Sequence, residues 1–261
     1  MRPTQPGRPR LRKREIVFAV AAGMMAAGGA AIILSDDMGP GPAREISGPR
    51  EMTYKLDGFE RIATTGSQDL EIKLGDAFAV HADGEVSRLH VAVENGELVI
   101  RPRDGGGWDW GDFDSTKISV TLPRLTRVSL TGSGDVSIDG VKGERFAGVI
   151  EGGFGGSLEV DGLEVDEVEF TINGLGEIVA AGTARATRTT INGVGEVQGG
   201  ELRTQTAVVS VNGRGEVELT VDQEANVSVQ GPGEVDIDGP ARCTISTSGP
   251  GSVSCGDEES G

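Results

Sequence analysis

The residues best suited to recognition chemistry lie together in one polar, glycine-rich stretch, DGGGWDWGDFDS at positions 104–115. Trp108 and Trp110 flank Asp109, and Phe113 follows closely. Aromatic faces stack on the C–H faces of sugar rings, and an adjacent carboxylate accepts hydroxyl hydrogen bonds. Trp108, Asp109, Trp110 and Phe113 are therefore the candidate binding residues. The same spacing also suits a loop that folds its rings over the side or end of the body it interrupts.

Groups for catalysis are sparse. The two histidines, His81 and His90, have no cysteine nearby. Thr131-Gly132-Ser133-Gly134 lacks both the spacing and the strand-to-helix context of a serine nucleophile elbow. No phosphate-binding G-x-x-x-x-G-K-[ST] and no H-E-x-x-H zinc motif occurs. Glycosidic cleavage needs clustered carboxylates, whereas here the acids are spread along the chain. The expectation is a non-enzymatic protein with no catalytic residue, metal or cofactor. A carbohydrate-active enzyme and a purely structural scaffold are the alternatives.

Two further sets of residues are placed by a repeat. The chain reads TGSGDV at 131–136, INGLGEI at 172–178, INGVGEV at 191–197, VNGRGEV at 211–217, VQGPGEV at 229–235 and TSGPGSV at 247–253. With GGFGGSL at 152–158, the leading glycines fall at 132, 153, 174, 193, 213, 231 and 249. Steps of 18–21 residues held over about seven turns are the signature of a solenoid. Apolar residues alternate with polar ones on each side of the glycines, so each coil holds short strands with one buried face. The glycines supply the corners. The second coil carries an extra residue before Leu158, which predicts a bulged corner, and any recognition residues are expected where the repeat breaks.

Stacking such coils puts like residues above like. Asn173, Asn192 and Asn212 then form a structural ladder of side-chain amides. Asp135, Glu177, Glu196, Glu216 and Glu234 form an acidic column. It reads as a solvated outer face that discourages sideways association, with a cation-binding stripe as the competing possibility. Cys243 and Cys255 lie six residues either side of Gly249. In an exported chain this spacing predicts a disulfide that closes the last coil, and without flanking histidines it is not a zinc site.

The start of the chain points to export. Six basic residues within the first 14 precede an uncharged, mostly apolar run over 16–34, followed by Asp36 and Asp37. This orients the N-terminus toward the cytoplasm and the remainder outward. The segment is read as a signal-anchor helix, with cleavage after Ala30 as the alternative. The division expected is 1–34 for the basic region and membrane segment, 35–52 for a Gly/Pro linker, 53–256 for the body and 257–261 for an acidic tail. Past residue 15, 18 basic residues face 40 acidic ones, a net charge near −22. That charge repels nucleic acid and anionic headgroups, so the partners expected are a cell-surface glycan or another envelope component, with the membrane reached only through the N-terminal segment.

The F-x-x-I start at Phe59–Ile62, the ENGELVI hairpin at 94–100, TLPRL at 121–125 and the I-N-G-x-G-E-V coils together resemble the head GIN domain family of autotransporter-type adhesins. The resemblance covers roughly residues 54–256. It implies a single-stranded, right-handed parallel β-helix in an exported bacterial protein with an adhesin-like role. It carries over no catalytic or binding residues.

Overall fold

A computed structural model of the protein describes residues 50–103 and 116–256. The expected membrane segment at 16–34, the linker before residue 50, the candidate residues Trp108, Asp109, Trp110 and Phe113, and the acidic tail lie outside the described residues. Among the described residues, no helix is long and apolar enough to cross a membrane. The only helical element there is a single 3-10 turn, Val86–Arg88.

Everything else is built on strands. The first six are β1 (Glu51–Tyr54), β2 (Arg61–Gly66), β3 (Asp69–Leu74), β4 (Ala79–Asp83), β5 (Leu89–Glu94) and β6 (Glu97–Pro102). They are followed by β7 (Lys117–Leu122), β8 (Arg127–Gly132) and β9 (Asp135–Gln230). The chain closes with β10 (Glu234–Asp238), β11 (Arg242–Ser248) and β12 (Ser252–Cys255). All twelve belong to one sheet.

The 96 residues of β9 would span roughly 320 Å if straight. Instead the chain returns on itself, and its corners show where. A Cβ on Gly174 would lie 1.9 Å from the carbonyl oxygen of Gly152, and one on Gly193 would lie 2.5 Å from that of Gly174. Corner backbones therefore stack in direct contact, and both residues have φ above +120°. Only glycine meets both conditions. At each end of β9 the pairing is parallel. Val128 of β8 is opposite Gly148, Val235 of β10 is opposite Val217, and Ile245 of β11 is opposite Val227.

This register stacks buried residues in columns. Ile150, Ile172, Ile191, Val211 and Val229 are all essentially inaccessible, each contributing about 1.5–3 kcal/mol from burial. In the neighbouring column, size is traded between coils. Gly148 leaves room for Phe170, whose ring lies 3.2 Å from where a Cβ on that glycine would stand. Thr189 lies in the same column, fully buried, and its hydroxyl has no hydrogen-bond partner among the described residues.

The resemblance implies parallel pairing, but β1 pairs antiparallel with β4, and β4 with β7. The antiparallel β5–β6 pair is the hairpin expected at 94–100. The β5–β6 hairpin turns at Asn95 and Gly96, both at positive φ, as Asn-Gly between alternating runs demands. The β4 pairings join segments far apart in sequence, which no local pattern reveals. The second coil also turns one residue earlier than the repeat suggests. Thr131 is opposite Glu151, so Gly152 rather than Gly153 is its corner. Gly152 and Gly156 then hold the places that Gly174 and Gly176 hold in the next coil, and the insertion is two residues long.

Candidate functional site

The corner that forms the fold also forms the most distinctive surface. Between the two glycines of each corner sits one residue whose side chain has no interior to enter. In successive coils these are Leu175, Val194, Arg214 and Pro232, and the widened second corner places Phe154 in the same row. Phe154, Leu175 and Val194 are 55%, 40% and 46% exposed, three of the few large apolar side chains in the described residues that face solvent. The bulge explains Phe154, because an inserted residue re-aims a side chain away from the sheet.

The amide row runs just before the corner glycines. Asn192 Nδ2 donates to Asn173 Oδ1 at 2.9 Å, and Asn212 Nδ2 donates to Asn192 Oδ1 at 2.9 Å. On the other side runs the acidic column. Gln198 Nε2 donates to both Glu177 Oε1 and Glu196 Oε1 at 2.8 Å, so one amide sits between two carboxylates. Glu216 has no such partner. Partial burial, then the charges of Glu196, Glu234, Asp236 and Glu218, raise its pKa above the ordinary carboxylate value. The column opens into a depression of about 370 Å³ lined by Val194, Pro232, Glu177, Glu196, Glu216 and Glu234, with Arg214 its one cation.

Elsewhere four acids pair with bases from adjoining coils. Lys142 pairs with Glu164 at 2.9 Å, Arg145 with Glu167 at 2.9 Å, Arg203 with Asp222 at 2.8 Å, and Arg185 with Asp166. At the corner column, by contrast, Glu177, Glu196, Glu216 and Glu234 share the one cation Arg214.

His81 lies 3.3 Å from Glu51 and His90 lies 3.5 Å from Glu94, on separate strands. Among the described residues, no three histidine, cysteine or acidic side chains converge on a metal-sized site. A second depression, near Phe59 and Phe78, is crossed by the hydrogen bond from Arg61 to the Asn95 carbonyl at 2.6 Å. Cys243 and Cys255 form a disulfide with a Cα–Cα distance of 6.4 Å. The ridge residues were invisible to a reading of strand alternation, since corner side chains take their direction from backbone turning. The available signal was the insertion at Gly152–Gly156.

A sheet of stacked corners with its polar groups in rows defines a repeat-built all-β surface. The chain belongs to the family described as putative auto-transporter adhesin, head GIN domain, whose model matches residues 58–241. Among solved structures, it is similar to a putative adhesin from Bacteroides fragilis, at 23% identity and a TM-score of 0.72, covering 78% of this chain and 95% of that one. It is also similar to a putative lipid binding protein from Parabacteroides distasonis, at 21% identity and a TM-score of 0.65, covering 80% and 96%. A putative adhesin from Parabacteroides merdae matches at 17% identity and a TM-score of 0.60, covering 78% and 94%. At these identities the likeness is one of fold. A search of the curated proteins found no match.

Proposed function

We propose that this is a non-catalytic, exported envelope protein whose body is a right-handed parallel β-solenoid that attaches to a cell-surface glycan or another envelope component. Residues 1–34 anchor it, the Gly/Pro linker expected at 35–52 carries the body clear of the membrane but gives up its last two residues to β1, the solenoid runs from β1 to residue 256, and 257–261 form a solvated tail. The family supports an adhesin-like role and an exported or surface location. The observation that carries the reading is the apolar row Phe154, Leu175 and Val194, set between a row of amides and a row of carboxylates. Sugars present C–H faces to apolar side chains and hydroxyls to amides and carboxylates, and a repeated surface offers the same set several times. The acidic column opposes an anionic lipid surface.

The test is binding of the full chain to a glycan array and to whole cells, compared with the Phe154→Ser and Val194→Ser double variant. The expected loss is about tenfold or more in affinity with an unchanged melting temperature. Undiminished binding would remove the ridge from the reading. Binding to neither array nor cells would leave a scaffold. Polysaccharide cleavage that disappears in Glu196→Gln would overturn the non-catalytic assignment.

A further inference from the structure

The sheet ends on two strands with one neighbour each. Among the described residues, β11 pairs only with β9 and β12 only with β10. Gly231 N–H donates to the Ser248 carbonyl and Ser252 N–H donates to the Gly233 carbonyl, so these peptide groups point back into the sheet. Peptide direction alternates along a strand, so the N–H and C=O groups of Cys243, Ile245 and Thr247 point past its end.

Side chains at this end also differ from those of the coil before it. Ile245 is in register with Val227, yet is 46% exposed where Val227 is 3%. Facing outward on β11 and β12 are Thr244, Ser246, Ser248, Ser252 and Ser254, with Arg242 the one charge. One coil earlier the residues in register with Ser252 and Ser254 are Glu234 and Asp236, and Glu224 is in register with Arg242. Edge strands are ordinarily guarded by charge, and this edge is where the acidic columns stop. Two copies of so acidic a body repel along their flanks, whereas β11 and β12 themselves carry no acidic residue. The opposite limit of the sheet is built differently, with β1 and β5 held antiparallel. The family match stops at residue 241, one residue before β11.

We propose that this edge is an interface between two copies of the chain, with β11 pairing antiparallel with β11 of the second copy about a two-fold axis at Ile245. The register is self-complementary. Ile245 meets Ile245 of the second copy, Cys243 meets Thr247, Thr244 meets Ser246, and Arg242 faces uncharged Ser248. The outward peptide groups at 243, 245 and 247 exchange roughly six hydrogen bonds, and the paired isoleucines close the core column that is open in a single copy. Because the same patch is used by both copies, the assembly closes at two rather than growing into a filament. The Cys243–Cys255 disulfide holds β11 in place for this contact.

Sedimentation equilibrium of the full chain in density-matched detergent is the test, with a dimer expected. Ile245→Lys sets two ammonium groups face to face, and is expected to weaken the dimer about 100-fold while the monomer keeps its melting temperature. Val194→Lys, on the ridge, is expected to leave the dimer intact. In the unaltered protein, the Ile245 and Thr247 amides are expected to exchange slowly at high concentration and rapidly on dilution. A monomer at all concentrations overturns the proposal. So does a dimer that survives Ile245→Lys, one that dissolves with Val194→Lys, or edge amides whose exchange ignores concentration.

Discussion

Asn192 stands between Asn173 and Asn212, donating to the first and accepting from the second at 2.9 Å each. One side chain thereby links three successive corners. Asn192→Ala removes both bonds, whereas Asn212→Ala removes one. The expected losses are about 1–2 kcal/mol and about half that, given roughly 1 kcal/mol per hydrogen bond and solvent access to the row. Urea unfolding of both variants measures the ratio, and equal losses would deny the row its cooperative role.

Corner contact sets a harder limit. Gly174→Ala places a methyl group 1.9 Å from the Gly152 carbonyl oxygen at a φ of +121°. The expected loss exceeds about 3 kcal/mol. Gly153→Ala meets no atom within 4 Å and has no positive φ to forbid it. Its stability is expected to stay within about 0.5 kcal/mol of the unaltered protein. Thermal unfolding of the pair separates a stacked corner from a bulge.

Thr189 buries a hydroxyl without a partner between Phe170 and Val209. Valine has nearly the same shape without that polar atom. Thr189→Val is therefore expected to stabilise the protein by about 1 kcal/mol, read as an upward shift of the urea midpoint.

The disulfide closes a sequence separation of 12 residues. The chain-entropy relation for such a loop gives about 2–3 kcal/mol. Its loss should be local, because β11 and β12 each have one neighbour. In Cys243→Ser with Cys255→Ser, hydrogen exchange is expected to quicken across 242–256 while the amides of coils 170–220 stay protected.

Glu216 gives the acidic column a pH signature. Its native pKa is raised above 4.5, so its ionised form is disfavoured by folding. The penalty is complete above the native pKa, is relieved as pH falls through it, and is absent below 4.5. Glu216→Gln should thus be more stable than the unaltered protein at pH 7, with the difference shrinking across that window. Urea midpoints at pH 7 and at pH 4 check the sign, and a difference that grew on acidification would contradict it.

The periodic features were legible because they are local. Paired glycines mark corners, and Val, Ile and Leu at alternate positions mark the buried face wherever strands stack. Asn95-Gly96 marks a hairpin through its own tolerance of positive φ. Cys243 and Cys255 flank a corner symmetrically, which is where a short loop brings two inward side chains together. Each of these rests on φ/ψ preference or period-two burial within about twenty residues.

What only the tertiary structure decided depends on neighbours remote in sequence. Gly66 stacks beneath Gly132, and Leu70 lies beside Val136, across a segment that includes the β5–β6 hairpin. The antiparallel placement of β4 between β1 and β7 is chosen by which edge remains to be covered. The bulge at Gly152–Gly156 is assigned by the register of Thr131 with Glu151, and with it comes the outward aim of Phe154. Sequence alone established where most of the corners fall and which face of each stacked strand is apolar. The stacking of one coil on the next decided which residues are left facing solvent, because a corner side chain and an edge strand are defined by what lies beside them.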